Sequence, residues 1–211
     1  MTSQPVETTL YSFREDTPQP VDRRGNERHL TLFRVGTVLL GPRRELCLIK
    51  NISAGGMLLR LYCAVRAGEP IAVELKTGMV VHGRVSWVRD GQAGLAASDP
   101  IDVAGILAND SFGPRPRMPR VETDAVIGVR QGASIFRVRA LDISQGGVKI
   151  EAPPRLASGT DVVLTLAGMP PLPGVVRWLD GGFAGLSFNQ PLALPDLVAW
   201  LQAQRSGSRA A

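Results

Sequence analysis

The chain has 211 residues, of which 44% are hydrophobic, with 24 Lys and Arg, 19 Asp and Glu, and a formal net charge of +5. This composition is ordinary for globular domains with a buried core and excludes a chain that is disordered throughout. The 23 Gly and 16 Pro favour many short elements joined by tight turns over long helices. Arginines far outnumber lysines, which fits either a solvated basic surface or the binding of an anion by planar guanidinium groups.

Residues 1–20 are predicted to form a disordered arm, because they are polar, mixed in charge and contain three Pro. They lack the apolar core of a secretion signal or membrane anchor, and no later run approaches the roughly 20 apolar residues of a spanning helix. We therefore expect a cytoplasmic protein that does not contact membranes, with Cys47 and Cys63 reduced. With only His29 and His82 beside them, these cysteines predict neither a metal site nor a disulfide framework.

Residues 21–109 are predicted to form a first small domain, which opens with an arginine cluster. Arg24 and Arg28 stand four residues apart, and Arg23 precedes them. Two guanidinium groups at this spacing can hold one anion from two sides, and either group can stack on a purine. A solvated segment at a domain boundary has the same composition, so the cluster alone leaves both interpretations open.

A polar turn follows the apolar strand predicted at residues 45–50. It contains Asn51, Ser53 and Gly56, which offer an amide, a hydroxyl and a close approach of the backbone to a ligand. An Asx turn that merely connects two strands has the same residues. This motif is therefore also ambiguous when taken alone.

The rest of the first domain predicts a small barrel. Residues 80–88 alternate between apolar and polar, as expected of a strand in a half-exposed sheet, and Gly-containing turns recur at short spacings. A closed or nearly closed antiparallel barrel would leave few exposed edges. Asp99 and Pro100 predict the cap and first turn of a helix at the end of the domain. We expect Trp87 in the core or at the barrel end rather than against a ligand.

The pattern of the first domain returns 91 residues later. The segment from Asn51 to Gly56 matches the segment from Asp142 to Gly147, and the strand around Trp87 matches the strand around Trp178 at the same offset. Such self-similarity is the signature of a duplicated unit. We therefore predict a second domain at residues 115–211, which ends in a helix near Leu194 and follows a linker at residues 110–114.

The second copy keeps the polar turn but not the regular arginine pair. Pro119 stands where the offset places the counterpart of Arg28, and proline offers no cation. We expect either a weaker ligand site here or a copy with a structural or partner-binding role. The candidate residues of the weaker site are Arg115, Arg117, Arg120, Asp142, Ser144 and Gly147.

The first domain combines an RxxxR motif with a later (D/N)xSxxG motif ahead of an apolar strand. In this combination the chain resembles the PilZ family. The resemblance implies an all-β fold of two tandem six-stranded antiparallel barrels, each with a short C-terminal helix. It also implies a bacterial receptor for cyclic di-GMP rather than an enzyme, with no cofactor. The implied ligand-binding residues of the first domain are Arg23, Arg24, Arg28, Asn51, Ser53 and Gly56.

Two other functions stay open at this stage. One is a degenerate PilZ protein that binds only protein partners, and the other is a barrel that binds single-stranded nucleic acid. The scarcity of aromatics disfavours the nucleic-acid binder, because stacking platforms need them. Two isolated histidines and the lack of a phosphate-binding loop or nucleophile motif disfavour an enzyme. A receptor would relay its ligand to a downstream protein effector through a rearrangement of the domains or of the partner. The sequence does not predict the oligomeric state.

Overall fold

A computed structural model describes residues 31–106 and 118–208 of the chain. The predicted arm at residues 1–20 and the predicted linker at residues 110–114 lie outside the described residues. Each of the two described ranges contains one barrel, and the domain boundaries themselves stay a prediction.

The first barrel has six antiparallel strands that close in the order β1, β2, β3, β6, β5, β4. Alternating burial along these strands explains the closure, since one face of each strand fills the interior. In β5, for example, Val81, Gly83 and Val85 are buried while their neighbours are exposed. The strands are β1 (Thr31–Leu40), β2 (Arg43–Ser53), β3 (Gly56–Leu61), β4 (Pro70–Glu74), β5 (Val80–Arg89) and β6 (Gln92–Ala97).

The second barrel repeats this arrangement. Strands β8 to β13 close through the pairing of β9 with β10, and the short β7 pairs with the end of β9. The predicted fold of two six-stranded antiparallel barrels is confirmed. The strands are β7 (Val121–Glu122), β8 (Val126–Gln131), β9 (Ser134–Ser144), β10 (Gly147–Glu151), β11 (Asp161–Thr165), β12 (Leu172–Asp180) and β13 (Phe183–Phe188).

The two barrels share one strand register. Thr31 pairs with Asn51 in the first barrel, and Glu122 pairs with Asp142 at the equivalent place in the second. Other cross-strand pairs also recur 91 residues apart, including those that join the polar turns and the tryptophan strands. The duplication seen in the sequence is therefore a duplication of structure, residue by residue.

A helix closes the second barrel. Helix α1 (Leu194–Ser208) buries Leu197, Trp200 and Leu201 in the second hydrophobic core, as their spacing on one helix face predicts. No helix within the two described ranges is long and apolar enough to cross a membrane.

The helix of the first domain begins later than predicted. Residues 103–106 are helical, and the carboxylate of Asp102 accepts a hydrogen bond from the Gly105 amide at 2.9 Å. This is the geometry of an N-cap residue, so the assignment of the cap to Asp99 is wrong. Asp99 and Asp102 both precede the helix, and the sequence pattern does not distinguish between them as caps.

The second domain packs on the outside of the first barrel. Leu46 is only 2% exposed and belongs to the hydrophobic core of the second domain, where Val35 and Leu48 join it. Helix α1 adds polar contacts, because Gln202 donates a hydrogen bond to the Tyr62 carbonyl at 2.7 Å. These contacts join the two barrels along the outer face of β1 and β2.

An ion pair extends this contact, since Arg205 of α1 meets the carboxylate of Glu45. Strand β7 of the second domain also lies beside β2 of the first. Because β2 ends at Asn51 and Ser53, the polar turn of the first domain lies at the end of a strand that contacts the second domain.

Candidate functional site

The polar turn of the first domain joins β2 to β3. Ser53 pairs with Gly56 across this turn, and the Ser53 hydroxyl donates to the Gly56 carbonyl at 3.3 Å. A Cβ atom at Gly56 would lie 2.0 Å from the Leu95 carbonyl oxygen, so β3 can approach β6 here only because this residue is glycine. The motif residues therefore have a structural role in holding the turn.

Asn51 carries an unused hydrogen-bonding group in this turn. Its Oδ1 atom is buried, and it has no hydrogen-bond partner in the part of the chain that the structure describes. A buried acceptor without a donor costs free energy, on the order of 1–3 kcal/mol. The atom is therefore suited to receive a donor from a ligand, or from a segment outside the described residues.

The second domain has the same turn with a charged residue in place of the amide. The Ser144 hydroxyl donates to the Gly147 carbonyl at 3.3 Å, and a Cβ atom at Gly147 would lie 2.2 Å from the Leu186 carbonyl oxygen. Asp142 occupies the position of Asn51, and Arg120 donates to its carboxylate at 2.8 Å. The structure thus brings four of the predicted residues of the weaker site together.

The ion pair between Arg120 and Asp142 is open to water. The side chain of Arg120 is 46% exposed and that of Asp142 is 23% exposed. Attraction in such a setting is screened, so the pair restrains Arg120 only weakly. A phosphate that reached this guanidinium would compete with the carboxylate for the same donors.

A cleft of about 550 Å³ opens beside this turn. That size is within the range of small-molecule sites. It combines a cation, a hydroxyl, exposed backbone and an aromatic ring, which are the groups needed to bind a nucleotide. The lining residues are Met118, Arg120, Ser144, Gly146 and Trp178.

The two matched tryptophans are not core residues, so of the two positions predicted from sequence, core or barrel end, the first is wrong. Trp87 is 45% exposed and Trp178 is 38% exposed. Each indole lies across a glycine on the neighbouring strand, since an added Cβ at Gly94 or Gly185 would come within 2.3 Å or 2.0 Å of the indole Nε1. The rings therefore lie flat on the outer surface of each barrel.

The sequence did not predict that Trp178, Met118 and Gly146 line the cleft of the second domain. A signal was present, because both copies place a glycine seven residues after the tryptophan, at Gly94 and Gly185. A glycine that faces an aromatic ring across a hairpin leaves room for that ring to lie on the sheet. Such a ring is half exposed and able to stack on a base.

The arginine cluster of the first domain lies outside the described residues. This applies to Arg23, Arg24 and Arg28, and also to Arg115 and Arg117 of the second copy. Their assignment to the ligand site stays a prediction.

Both cysteines are free thiols, Cys47 buried and Cys63 partly buried. Burial raises the pKa of Cys47 to about 12, and the neighbouring Cys63 adds to this shift. Burial also raises the pKa of Cys63 to about 11, with the negative charge of Glu45 contributing. Among residues 31–106 and 118–208, no group of His, Cys, Asp and Glu is arranged to hold a metal ion.

A model of the PilZ domain matches residues 22–106 and again residues 114–203. The chain belongs to the PilZ family. Its two barrels are therefore tandem PilZ domains, and the polar turns at Asn51 and Asp142 lie in equivalent positions of the two domains. No curated protein sequence matches the chain.

Solved structures that are similar to this tandem PilZ chain share little sequence with it. The PlzA protein of Borreliella burgdorferi, in complex with c-di-GMP, is 12% identical, covers 82% of this chain and 87% of its own, and has a TM-score of 0.36. The Bacillus subtilis inhibitor of motility, MotI/DgrA, is 15% identical, with 86% and 98% coverage and a TM-score of 0.32. YcgR of Escherichia coli, in complex with c-di-GMP, is 14% identical, with 84% coverage of each chain and a TM-score of 0.30. With scores this low, we draw no conclusion from these likenesses.

Proposed function

We propose that this protein is a receptor for cyclic di-GMP that binds its ligand through the first PilZ domain. The observation that carries the proposal is the polar turn of Asn51, Ser53 and Gly56, in a domain whose sequence also supplies Arg24 and Arg28 upstream. Membership of the PilZ family supports the choice of ligand. The protein is proposed to be a binding protein rather than an enzyme, and to act in the bacterial cytoplasm.

Each residue of the proposed site has a chemical role. The buried Oδ1 of Asn51 would accept a hydrogen bond from a guanine edge, or from an arginine that the ligand draws in. Arg24 and Arg28, with Arg23 beside them, would hold the phosphates and stack on a base. Trp87, half exposed on β5 and lying across Gly94 of β6, would offer a second stacking surface.

The second domain is proposed to hold the weaker site. Arg120, Ser144 and Trp178 line its cleft, but Asp142 places a negative charge where the first domain has an amide. A phosphate that approached Arg120 would have to displace this carboxylate, and the two anions would repel each other. The second domain also lacks the regular arginine pair, because Pro119 stands at the position of Arg28, so affinity at this site should be lower than at the first.

The relay is proposed to pass through the contact between the barrels. Ligand binding would order the arginine segment against the end of β2, and β2 is also the strand that contacts the second domain. A ligand changes such an arrangement only to the extent that it binds one arrangement more tightly than the other. The rearranged surface would then meet a downstream protein effector.

Titration calorimetry with cyclic di-GMP tests the site. Replacing Arg24 and Arg28 together by Ala should abolish binding at the first domain, because both phosphate donors are lost. The matched control removes two exposed arginines elsewhere in the same domain, Arg66 and Arg89, and should leave the affinity unchanged. Equal loss in both double variants would mean that net charge, and not this site, determines binding.

Ligand stoichiometry separates the two domains. Asn51→Ala should remove the tighter site and leave the weaker one, whereas Asp142→Ala should leave the tighter site intact. If Asp142→Ala abolished binding while Asn51→Ala and the arginine variant did not, the assignment of the two sites would be reversed. If no heat were seen at all, the protein-binding alternative would replace this proposal. Salt-dependent retention of single-stranded oligonucleotides would favour the nucleic-acid alternative.

A further inference from the structure

One broad surface of the second domain takes no part in the proposed ligand sites. It is the outer face of the hairpin formed by β8 and β9, which we call the hairpin face. Its cross-strand pairs place Val126 opposite Arg139, Gly128 opposite Arg137, and Arg130 opposite Ile135. The hairpin face is therefore the six residues Val126, Gly128, Arg130, Ile135, Arg137 and Arg139.

The same face of the first domain is a protein contact. The register places Val35 opposite Leu48, at the positions that Val126 and Arg139 hold in the second domain. Val35 and Leu48 pack against the core of the second domain, and Leu46 is buried there. A flat face of this barrel is thus shaped to receive another folded element, and in the first domain it does so.

The hairpin face is exposed and retains apolar groups. Ile135 is 72% exposed and Val126 is 57% exposed. These are the two highest values among the exposed large hydrophobic residues in the described part of the chain. The two side chains stand at opposite ends of the hairpin, so the hairpin face offers two separate apolar contact points and not one continuous patch. Arg137 replaces Leu46 of the first domain, and Arg130 replaces Leu39, so the face has gained positive charge.

The charges on this face are only partly balanced. Arg139 pairs with Asp124 and also with Glu151, which lies 3.5 Å away. Neither Arg130 nor Arg137 has a carboxylate partner among the described residues. A partner that covered the face would bury two guanidinium groups, and it would have to supply carboxylates to keep that burial favourable.

We propose that the hairpin face is a docking site for an acidic amphipathic helix of a partner protein. The helix would place apolar side chains on Val126 and Ile135 and glutamates or aspartates against Arg130 and Arg137. The docking of helix α1 and its barrel on the first domain supplies the precedent for this geometry.

Other anionic surfaces fit the hairpin face less well. Ile135 lies near the hairpin turn and Val126 lies at the opposite end of the strands, so the two apolar groups do not form one tip that could enter a lipid bilayer. Nucleic acid would gain nothing from exposed aliphatic groups, and none of the six residues is an aromatic on which a base could stack. A protein segment uses both the apolar and the charged groups.

The test uses the full chain and two synthetic amphipathic helices that share one leucine pattern. One helix carries glutamates on its flanks and the other carries lysines. Backbone amide resonances of β8 and β9 are followed by NMR during titration with each peptide. We expect the glutamate helix to shift these resonances and the lysine helix to leave them in place.

Two double variants test whether the glutamate helix binds at the hairpin face. Ile135→Ser with Arg137→Glu should weaken binding of the glutamate helix by about tenfold or more, because an apolar contact and a charge contact are both lost. The control, Val88→Ser with Arg89→Glu, also replaces one exposed aliphatic residue and one arginine, on an exposed hairpin of the first domain, and should have no effect. Circular dichroism checks that both variants fold.

Several results would overturn the proposal. These are a glutamate helix that leaves β8 and β9 unperturbed, equal binding of the lysine helix, or binding that survives the hairpin-face variant. Anionic phosphatidylglycerol vesicles or a single-stranded oligonucleotide that shifted the same resonances in place of the helix would assign the face to a membrane or to nucleic acid.

Discussion

The indole of Trp178 lies against Gly185 of the adjacent strand, so closely that a methyl group at Gly185 would stand 2.0 Å from the indole nitrogen. The ring thereby forms one wall of the cleft beside Ser144. An alanine at this glycine should push the indole away from the sheet. We expect Gly185→Ala to shift the tryptophan emission, to destabilise the second domain by about 1–3 kcal/mol and to weaken any ligand binding there.

The control for this change is Gly128→Ala. It also adds a methyl group in a strand of the second domain, but the nearest atom lies 3.3 Å away. Emission and urea midpoint should stay close to those of the parent chain. If Gly185→Ala leaves the emission unchanged, the indole does not lie on this glycine.

The contact between the two barrels should be broken by Leu46→Asp. Leu46 is on the outside of the first barrel yet only 2% exposed, because the second domain covers it. An aspartate there would be buried without a partner unless the domains separated. Small-angle X-ray scattering should show a larger radius of gyration, and thermal unfolding should divide into two transitions.

Leu59→Ala serves as the comparison for that experiment. Leu59 is fully buried inside the first barrel, and its truncation should cost about 3 kcal/mol without separating the domains. An unchanged radius of gyration in Leu46→Asp would show that this leucine does not hold the barrels together.

The two thiols make the stability of the fold depend on pH in the alkaline range. The pKa values of about 12 for Cys47 and about 11 for Cys63 exceed the ordinary value of 9.0. Between pH about 9 and about 11 the unfolded chain therefore releases thiol protons that the folded chain retains, and stability falls as pH rises. Well below pH 9.0 both states keep these protons, and the thiols cause no pH dependence.

Urea midpoints measured across this pH range check the effect. The decline in stability should be shallower for Cys47→Ala than for the parent chain, and the same comparison with Cys63→Ala tests the second thiol. Other groups titrate in the same range, but they are common to all three chains and cancel in the comparison. Parallel curves for all three chains would contradict the raised thiol pKa values.

The ion pair between Arg120 and Asp142 should contribute little to folding. Both side chains are partly exposed, so a double-mutant cycle of Arg120→Ala and Asp142→Asn should give a coupling free energy below about 1 kcal/mol. The coupling should shrink further at high salt. A coupling well above this value would identify the pair as a structural element of the second domain.

The sequence predicted the fold well because the duplication doubles every local signal. Period-two alternation located β5, and the offset of 91 residues carried the register from one barrel to the other. The polar turns were also found from sequence, since Ser53 and Gly56 recur as Ser144 and Gly147.

The errors arose where the answer depends on contacts between distant residues. Asp99 and Asp102 are both suitable caps, and only the path of the chain after β6 selects Asp102. Trp87 and Trp178 lie on the outside because the opposite strand offers a glycine, which a pattern within one strand does not reveal. The sequence around Leu46 is that of an ordinary barrel strand, and it does not indicate that another domain covers this side chain.

The covered face of the first domain has a consequence for assembly. The barrels meet head to tail, through different surfaces of the two domains, so an identical third barrel could in principle add to the exposed face of the second. A third barrel that packed on the second domain would contact Arg137 and Arg139, which stand at the positions of Leu46 and Leu48. The third barrel's equivalent of Arg205 would approach Phe136, which stands at the position of Glu45. We therefore expect these differences between the copies to oppose the addition of a third barrel at this face.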